Sequence, residues 1–240
     1  MSREEVADTG HFTTLQVRGG RVQGLDLHLA RLVTASRELY GTGPGRSALK
    51  EHIRGALEAA GRSTGDCTAR VRVLPPSRIE VDVEPPRQPS ASPLRVRTHP
   101  GLRSLPSVKH LALDFQLGAR RQARDAGFDD ALLLAPDGRI SEGTFWNIAF
   151  GDGDAVVWPD APALPGVTQR LLGDALEKAG VPQRREAVGV DSLAGLRAAF
   201  ALNSTGIADI AAIDSHAFRG DARAGATLRA LLAGVPWEGF

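Results

Sequence analysis

The segment EPPRQPSASPL, residues 84–94, holds four prolines in eleven residues. Proline lacks the backbone N–H that a helix interior or a central strand must donate, so no regular element runs through this stretch. It is the best linker candidate in the chain, with strands and helices expected on each side. On the N-terminal side, FTTLQVRGGRVQG (12–24) reads as two short strands joined at Gly19-Gly20, a pair suited to the left-handed backbone of a tight hairpin. In the following segment Leu25, Leu29, Leu32, Val33 and Leu39 recur at helical spacing. Asp26 is the expected start cap and Gly41 the stop. A second amphipathic helix is expected over 47–61, capped by Ser47 and stopped by Gly61. Strand-like runs follow at 68–74, 78–83 and 94–99.

On the C-terminal side, HLALDFQLGARRQARDAG (110–127) predicts a helix ending at Gly127. A hairpin is expected around Pro136-Asp137-Gly138, with strands continuing to Phe150 and resuming in AVVWP. The loop DAPALPG leads to a helix from about Thr168 to Gly180. Residues 198–214 read as two strands split by a small polar turn at 203–206, and a helix closes the chain near 222–234. Strands and helices alternate irregularly, which predicts α+β. The halves are expected to meet near residues 90–105, giving a smaller domain over 1–95 and a larger one over 96–240.

Charge and composition remove several function classes. Twenty-nine basic residues against 28 acids leave a net charge of +1, without the basic excess of a nucleic-acid binder. No apolar run reaches the roughly 18 to 20 residues of a membrane helix. The stretch MSREEVADTG lacks the apolar centre of a secretory signal, so the expectation is a cytoplasmic protein. The single cysteine, Cys67, cannot form an internal disulfide, and the six histidines show no metal-ligand spacing.

Three of the 29 basic residues are lysines: Lys50, Lys109 and Lys178. Lys50 lies beside Glu51 on an amphipathic helix, and Lys178 lies near a helix C-terminus, where cations are favoured. Lys109, in PSVKHLALDF, stands between a proline loop and an apolar run. A desolvated lysine can lose its proton and act as a nucleophile; an arginine cannot. An ordinary surface lysine at a helix start remains the other reading. Glu142, in RISEGTFWNI, is either a partnered buried carboxylate or an exposed strand-end acid. LPGVTQRLL places Gly166, Val167 and Thr168 at a helix start, whose free amides suit an anion. LNSTG (202–206) offers a second small polar turn.

Taken in order, GHFTTLQV with LHLARL, then VKHL, DDALLL…DGRISEG…NI, LPGVT and NSTGIADI resemble the fold-type-IV pyridoxal-phosphate enzymes. That family includes branched-chain and D-amino-acid aminotransferases and 4-amino-4-deoxychorismate lyases. The resemblance covers about Gly10 to Asp214 and rests on the joint order of motifs, each unspecific alone. It implies a two-domain α+β fold with the cofactor between the domains, and a homodimer. It implies that Lys109 forms the Schiff base with pyridoxal phosphate and shuttles the α-proton, while Glu142 pairs with the pyridinium nitrogen. Arg31 matches the arginine that grips the phosphate. Val167 and Thr168 would add amides and a hydroxyl to it. Asn203, Ser204 and Thr205 match the late phosphate and carboxylate loop.

The implied activity is amino transfer between an amino acid and a 2-oxo acid, with β-elimination of pyruvate as the alternative. Phe12-Thr13-Thr14 and KHL lie closer to the lyases; SEG…NI and LPGVT lie closer to the aminotransferases. Five residues after the lysine, where many members carry tyrosine, stands Asp114. On the strand at 68–74, alternation is read as turning only one of Arg70 and Arg72 inward, and Arg72 is the candidate for a substrate carboxylate.

Overall fold

A computed structural model describes residues 3–240, in two units. The first runs up to Gln88 and also takes in Val108–Leu113 and Pro236–Phe240; the second comprises Pro89–Ser107 and Asp114–Val235.

The first unit begins with helix α1 (Arg3–Thr9) and strands β1 (His11–Arg18) and β2 (Arg21–Gln23). Helices α2 (Leu25–Tyr40) and α3 (Arg46–Ala59) follow, then strands β3 (Cys67–Leu74) and β4 (Arg78–Glu84). The Gly19-Gly20 hairpin forms as the sequence predicts, with φ of 55° and 73°. A Cβ on Gly20 would lie 2.1 Å from the Ser63 carbonyl oxygen, so glycine is required there by space as well as by backbone. An antiparallel sheet results, in the order Trp237–Glu238, β2, β1, β3, β4.

One face of that sheet is apolar. Leu15 and Val17 of β1 and Ala69, Val71 and Val73 of β3 pack with Leu25, Leu29 and Leu32 of α2 and Leu49, Ile53 and Leu57 of α3. Each buried leucine contributes roughly 1.5–3 kcal/mol. Asp26 and Ser47 do not cap their helices. Gly24 precedes α2 with φ of 62°, Gly45 precedes α3, and Asp26 pairs instead with Arg46 at 2.9 Å.

Residues 108–113 are not helical. Phe12 N–H donates to Lys109 O at 2.8 Å, Leu111 N–H donates to Gly10 O at 2.9 Å, and His11 and His110 form an antiparallel bridge. The ladder at the start of β1 therefore claims the backbone that helical periodicity assigned to a first turn. The helix α4 begins only at Asp114 and runs to Asp125.

The second unit carries β5 (Leu94–Pro100), β6 (Asp130–Leu134), β7 (Ile140–Gly143), β8 (Asn147–Gly151), β9 (Val156–Pro159) and helix α5 (Val167–Lys178). Next come β10 (Gln183–Glu186), β11 (Ala198–Asn203), β12 (Gly206–Ile213), β13 (His216–Ala217) and helix α6 (Ala222–Ala233). Its mixed sheet has the order β10-β9-β8-β11-β12-β5-β6-β7, with β13 paired to β12. Alternation along β8 sends Ile148 and Phe150 into a core with Val96, Leu132, Ile140 and Ile210. Ala149 faces the opposite side, with Trp158, Phe200, Leu172 and Leu176 of α5 and Leu228 of α6. Among the described residues no helix is long and apolar enough to cross a membrane.

Candidate active site

In the first unit, Lys109, Arg31, His28 and Thr13 are brought together. The ladder to β1 fixes the Lys109 backbone, and its Nζ lies 4.9 Å from the Phe12 ring centroid. His28 and Arg31 sit one turn apart on α2 and so share a helix face, which Thr13 of β1 meets. His28 Nδ1 is 2.7 Å from Thr13 Oγ1, and Arg31 Nη1 reaches the same oxygen at 3.5 Å.

Burial, then Arg31, then Lys109 hold the His28 imidazole well below its ordinary value, so it is neutral. The cluster thus combines an amine, a fixed guanidinium and an uncharged imidazole. The sequence singled out Lys109 and Arg31 but not His28, whose only signal was a polar residue within an apolar helix stripe.

Arg70 and Arg72 correct an expectation. Residues two apart on a strand point to the same face, so both arginines lie opposite the apolar side of the first sheet. Arg72 is held by Glu80 at 3.1 Å and Asp82 at 2.9 Å. Arg70 lies 5.6 Å from the centroid of the Phe12 ring, the ring that Lys109 also approaches.

In the second unit, Glu142 of β7 is 4 % exposed. Its Oε2 accepts the Leu164 N–H at 3.2 Å. Asn147 of β8 donates from Nδ2 to the Leu164 carbonyl at 2.8 Å, and the Ser141 hydroxyl donates to Pro162 O at 2.6 Å. The loop before α5 is therefore pinned along β7 and β8. Arg103, 6 % exposed, is a second buried charge in this unit. Burial draws its guanidinium down from its ordinary value, and the Glu142 carboxylate opposes that shift. Nothing in GLRSLP distinguished Arg103 from the other 25 arginines.

A buried hub stiffens the turn after Glu142. Asp130 accepts hydrogen bonds from Thr144 Oγ1 at 2.6 Å, Trp146 Nε1 at 2.9 Å and Arg120 Nη2 at 2.5 Å. The Trp146 indole covers Gly143, where an added Cβ would lie 1.9 Å from the ring. Glycine beside Glu142 thus answers to the indole.

The expected anion cradle also gathers in this unit. Gly166 is extended, α5 starts at Val167, and Thr168 Oγ1 donates to Asn203 O at 2.7 Å. The Asn203 Oδ1 accepts from Thr205 N–H at 2.8 Å and from Thr205 Oγ1 at 2.6 Å. Ser204 occupies the turn between β11 and β12. The first amides of α5 have no carbonyl within the helix to bond, which suits a phosphate. Among the described residues no three His, Cys, Asp or Glu side chains gather as a metal site.

No curated protein matches the chain in sequence. Solved structures match it closely in fold. A putative 4-amino-4-deoxychorismate lyase from Legionella pneumophila superposes with a TM-score of 0.85 at 21% identity, covering 95% of this chain and 92% of that one. The fold IV transaminase CpuTA1 from Curtobacterium pusillum gives 0.82 at 25% identity, covering 94% and 84%. A hypothetical aminotransferase from Mycobacterium tuberculosis, in its PLP-bound form, gives 0.80 at 22% identity, covering 96% and 90%. These likenesses agree on the fold-type-IV architecture. The profile of the amino-transferase class IV family matches residues 10–213, and the chain belongs to that family.

Proposed function

We propose that the protein is a pyridoxal-phosphate-dependent aminotransferase that moves an amino group between a small amino acid and a 2-oxo acid. The observation that carries this reading is Lys109, held by its backbone to β1 in the same unit as Arg31 and a neutral His28. The second unit suits such a cofactor as well. Glu142 is a buried carboxylate matched to a pyridinium nitrogen, and the amides at the start of α5 are matched to a phosphate dianion.

When bound, pyridoxal phosphate supplies an electron sink for negative charge at the substrate Cα. The residues of this chain do the rest. Lys109 would hold the cofactor through its amine and, once the substrate amine has displaced it, would be the group free to move a proton at the substrate Cα. Glu142 would accept a hydrogen bond from the ring nitrogen and so favour its protonated form. Within the second unit, the Val167 and Thr168 amides, the Thr168 hydroxyl and the Asn203-Ser204-Thr205 turn would bind the phosphate, and the family resemblance also assigns Arg31 to it. His28, kept neutral by burial, lies 2.7 Å from the Thr13 hydroxyl and adds no positive charge beside Arg31. Because Arg72 is engaged by two carboxylates, Arg70 is the better candidate for a substrate carboxylate. The homodimer is proposed from the family resemblance.

A second reading, β-elimination of pyruvate from a deoxychorismate-type substrate, is favoured by Phe12-Thr13-Thr14 and by His110-Leu111 after the lysine. One experiment separates the two. The purified protein is mixed with a panel of L- and D-amino acids while absorbance is followed near the visible edge. A transaminase bleaches its band and turns over only with an added 2-oxo acid. A lyase releases pyruvate with no acceptor. No band, or a band unaffected by borohydride, would overturn both.

A further inference from the structure

We propose that Asn147 is a positioning residue that locks the Glu142 carboxylate to the start of α5, and so sets the spacing between the two ends of the cofactor. The proposal rests on the reading that Glu142 takes the ring nitrogen and α5 the phosphate.

Leu164 is gripped on both of its backbone polar groups. Its N–H goes to Glu142 Oε2 at 3.2 Å, and its carbonyl takes Asn147 Nδ2 at 2.8 Å. The two side chains come from successive strands, β7 and β8, joined by the turn that Asp130 holds through Thr144 and Trp146. Two residues after Leu164, the same amide meets the loop again. A Cβ built on Gly166 would lie 1.9 Å from Asn147 Oδ1.

Gly166 has φ −61° and ψ 136°, which any residue adopts. Its backbone therefore does not call for glycine; the close approach of Asn147 does. Between the two contacts lies Pro165, whose ring fixes φ and removes slack. Asn147 thus holds Leu164 with its nitrogen and abuts Gly166 with its oxygen, and α5 begins at the next residue. An aspartate of the same shape could not replace it. It has no donor for the Leu164 carbonyl and would add a second buried carboxylate to this loop.

A rigid ligand bound at two ends is sensitive to their spacing in a way that a ligand bound at one end is not. The test is therefore a comparison of two ligands on cofactor-free protein, read by calorimetry. Pyridoxamine phosphate engages both ends without covalent attachment to Lys109. Inorganic phosphate engages only the cradle. Asn147→Asp and Asn147→Ala should raise the pyridoxamine phosphate dissociation constant about tenfold or more, while inorganic phosphate changes by less than about threefold. Gly166→Ala should weaken pyridoxamine phosphate in the wild-type background. In the Asn147→Ala background it should add little, because the clashing oxygen is gone.

Equal losses for both ligands would show a general structural role and overturn the proposal. Unchanged binding by Asn147→Asp, or a Gly166→Ala effect of equal size in both backgrounds, would do the same. Wild-type protein that fails to bind pyridoxamine phosphate would instead sink the cofactor reading itself.

Discussion

Replacing Asp130 by alanine should destabilise the second unit by about 3–5 kcal/mol. The figure comes from what the carboxylate holds. Thr144 Oγ1, Trp146 Nε1, the Ala131 N–H and the Arg120 guanidinium all donate to it. Thr144 and Trp146 are 3 % and 5 % exposed, so water cannot readily replace the lost acceptor. Each stranded buried donor costs about 1–3 kcal/mol, and breaking a buried ion pair by deleting one partner costs about 3–5 kcal/mol in all. Arg120 is partly exposed and can re-solvate, which keeps the total from rising further. Asp130→Asn preserves the shape but replaces one acceptor by an NH2 group, so it should fall between wild type and alanine. Urea unfolding of the cofactor-free protein measures the loss, provided m is unchanged. At about 2–4 °C per kcal/mol, the thermal midpoint should drop by roughly 6–20 °C. Asp125, an exposed carboxylate on α4, serves as the control and should change stability by less than about 0.5 kcal/mol when replaced by alanine. A loss below about 1 kcal/mol for Asp130→Ala would refute the hub.

Lys109→Arg keeps the charge but should abolish the absorbance band near the visible edge; a retained band would remove Lys109 from its assigned role. Glu142→Gln should leave cofactor binding measurable but slow turnover by about 100-fold or more, as expected when a general electrostatic partner of the ring is lost; near-normal turnover in a steady-state assay would contradict it. Stability should also fall with acid in a defined window. Burial lowers His11 to about 4 and holds His28 well below its ordinary value, so the unfolded chain takes up protons first as pH drops below about 6.5. By pH 5, His11 alone should cost about 2 kcal/mol, with His28 adding in the same direction. Unfolding midpoints measured from pH 7 to 5 that stay flat, or that fall equally in His11→Asn, would disprove this.

Much of the fold was legible because its signals are local. Period-two and period-3.6 patterns gave β1, α2, β3 and α5 to within a few residues, and the Gly19-Gly20 and Pro136-Asp137-Gly138 turns were written in residues with few conformational alternatives. That 84–94 holds no continuous element was legible for the same reason, since proline acts on its own backbone, but the return of Val108–Leu113 and Pro236–Phe240 to the first unit was not. Helical pattern failed at 110–113. There the Leu111 N–H donates to Gly10 O and His110 bridges His11, about a hundred residues earlier in the chain, and no local propensity reports a partner at that distance. The Arg70 and Arg72 expectation failed differently, through a misapplied period: strand neighbours alternate, but next-neighbours coincide.

What the sequence determined by itself is which chemistry the chain can carry: one lysine out of place among arginines, one carboxylate in a strand-forming run, one glycine before a helix. Only the tertiary structure decided what each of these answers to. His28 is neutral because α2 and β1 bury it near two cations. Gly166 is glycine because Asn147, nineteen positions earlier, needs the space. Such pairings arise when strands and helices close on one another, and closure is a property of the whole chain, which no short stretch of it encodes.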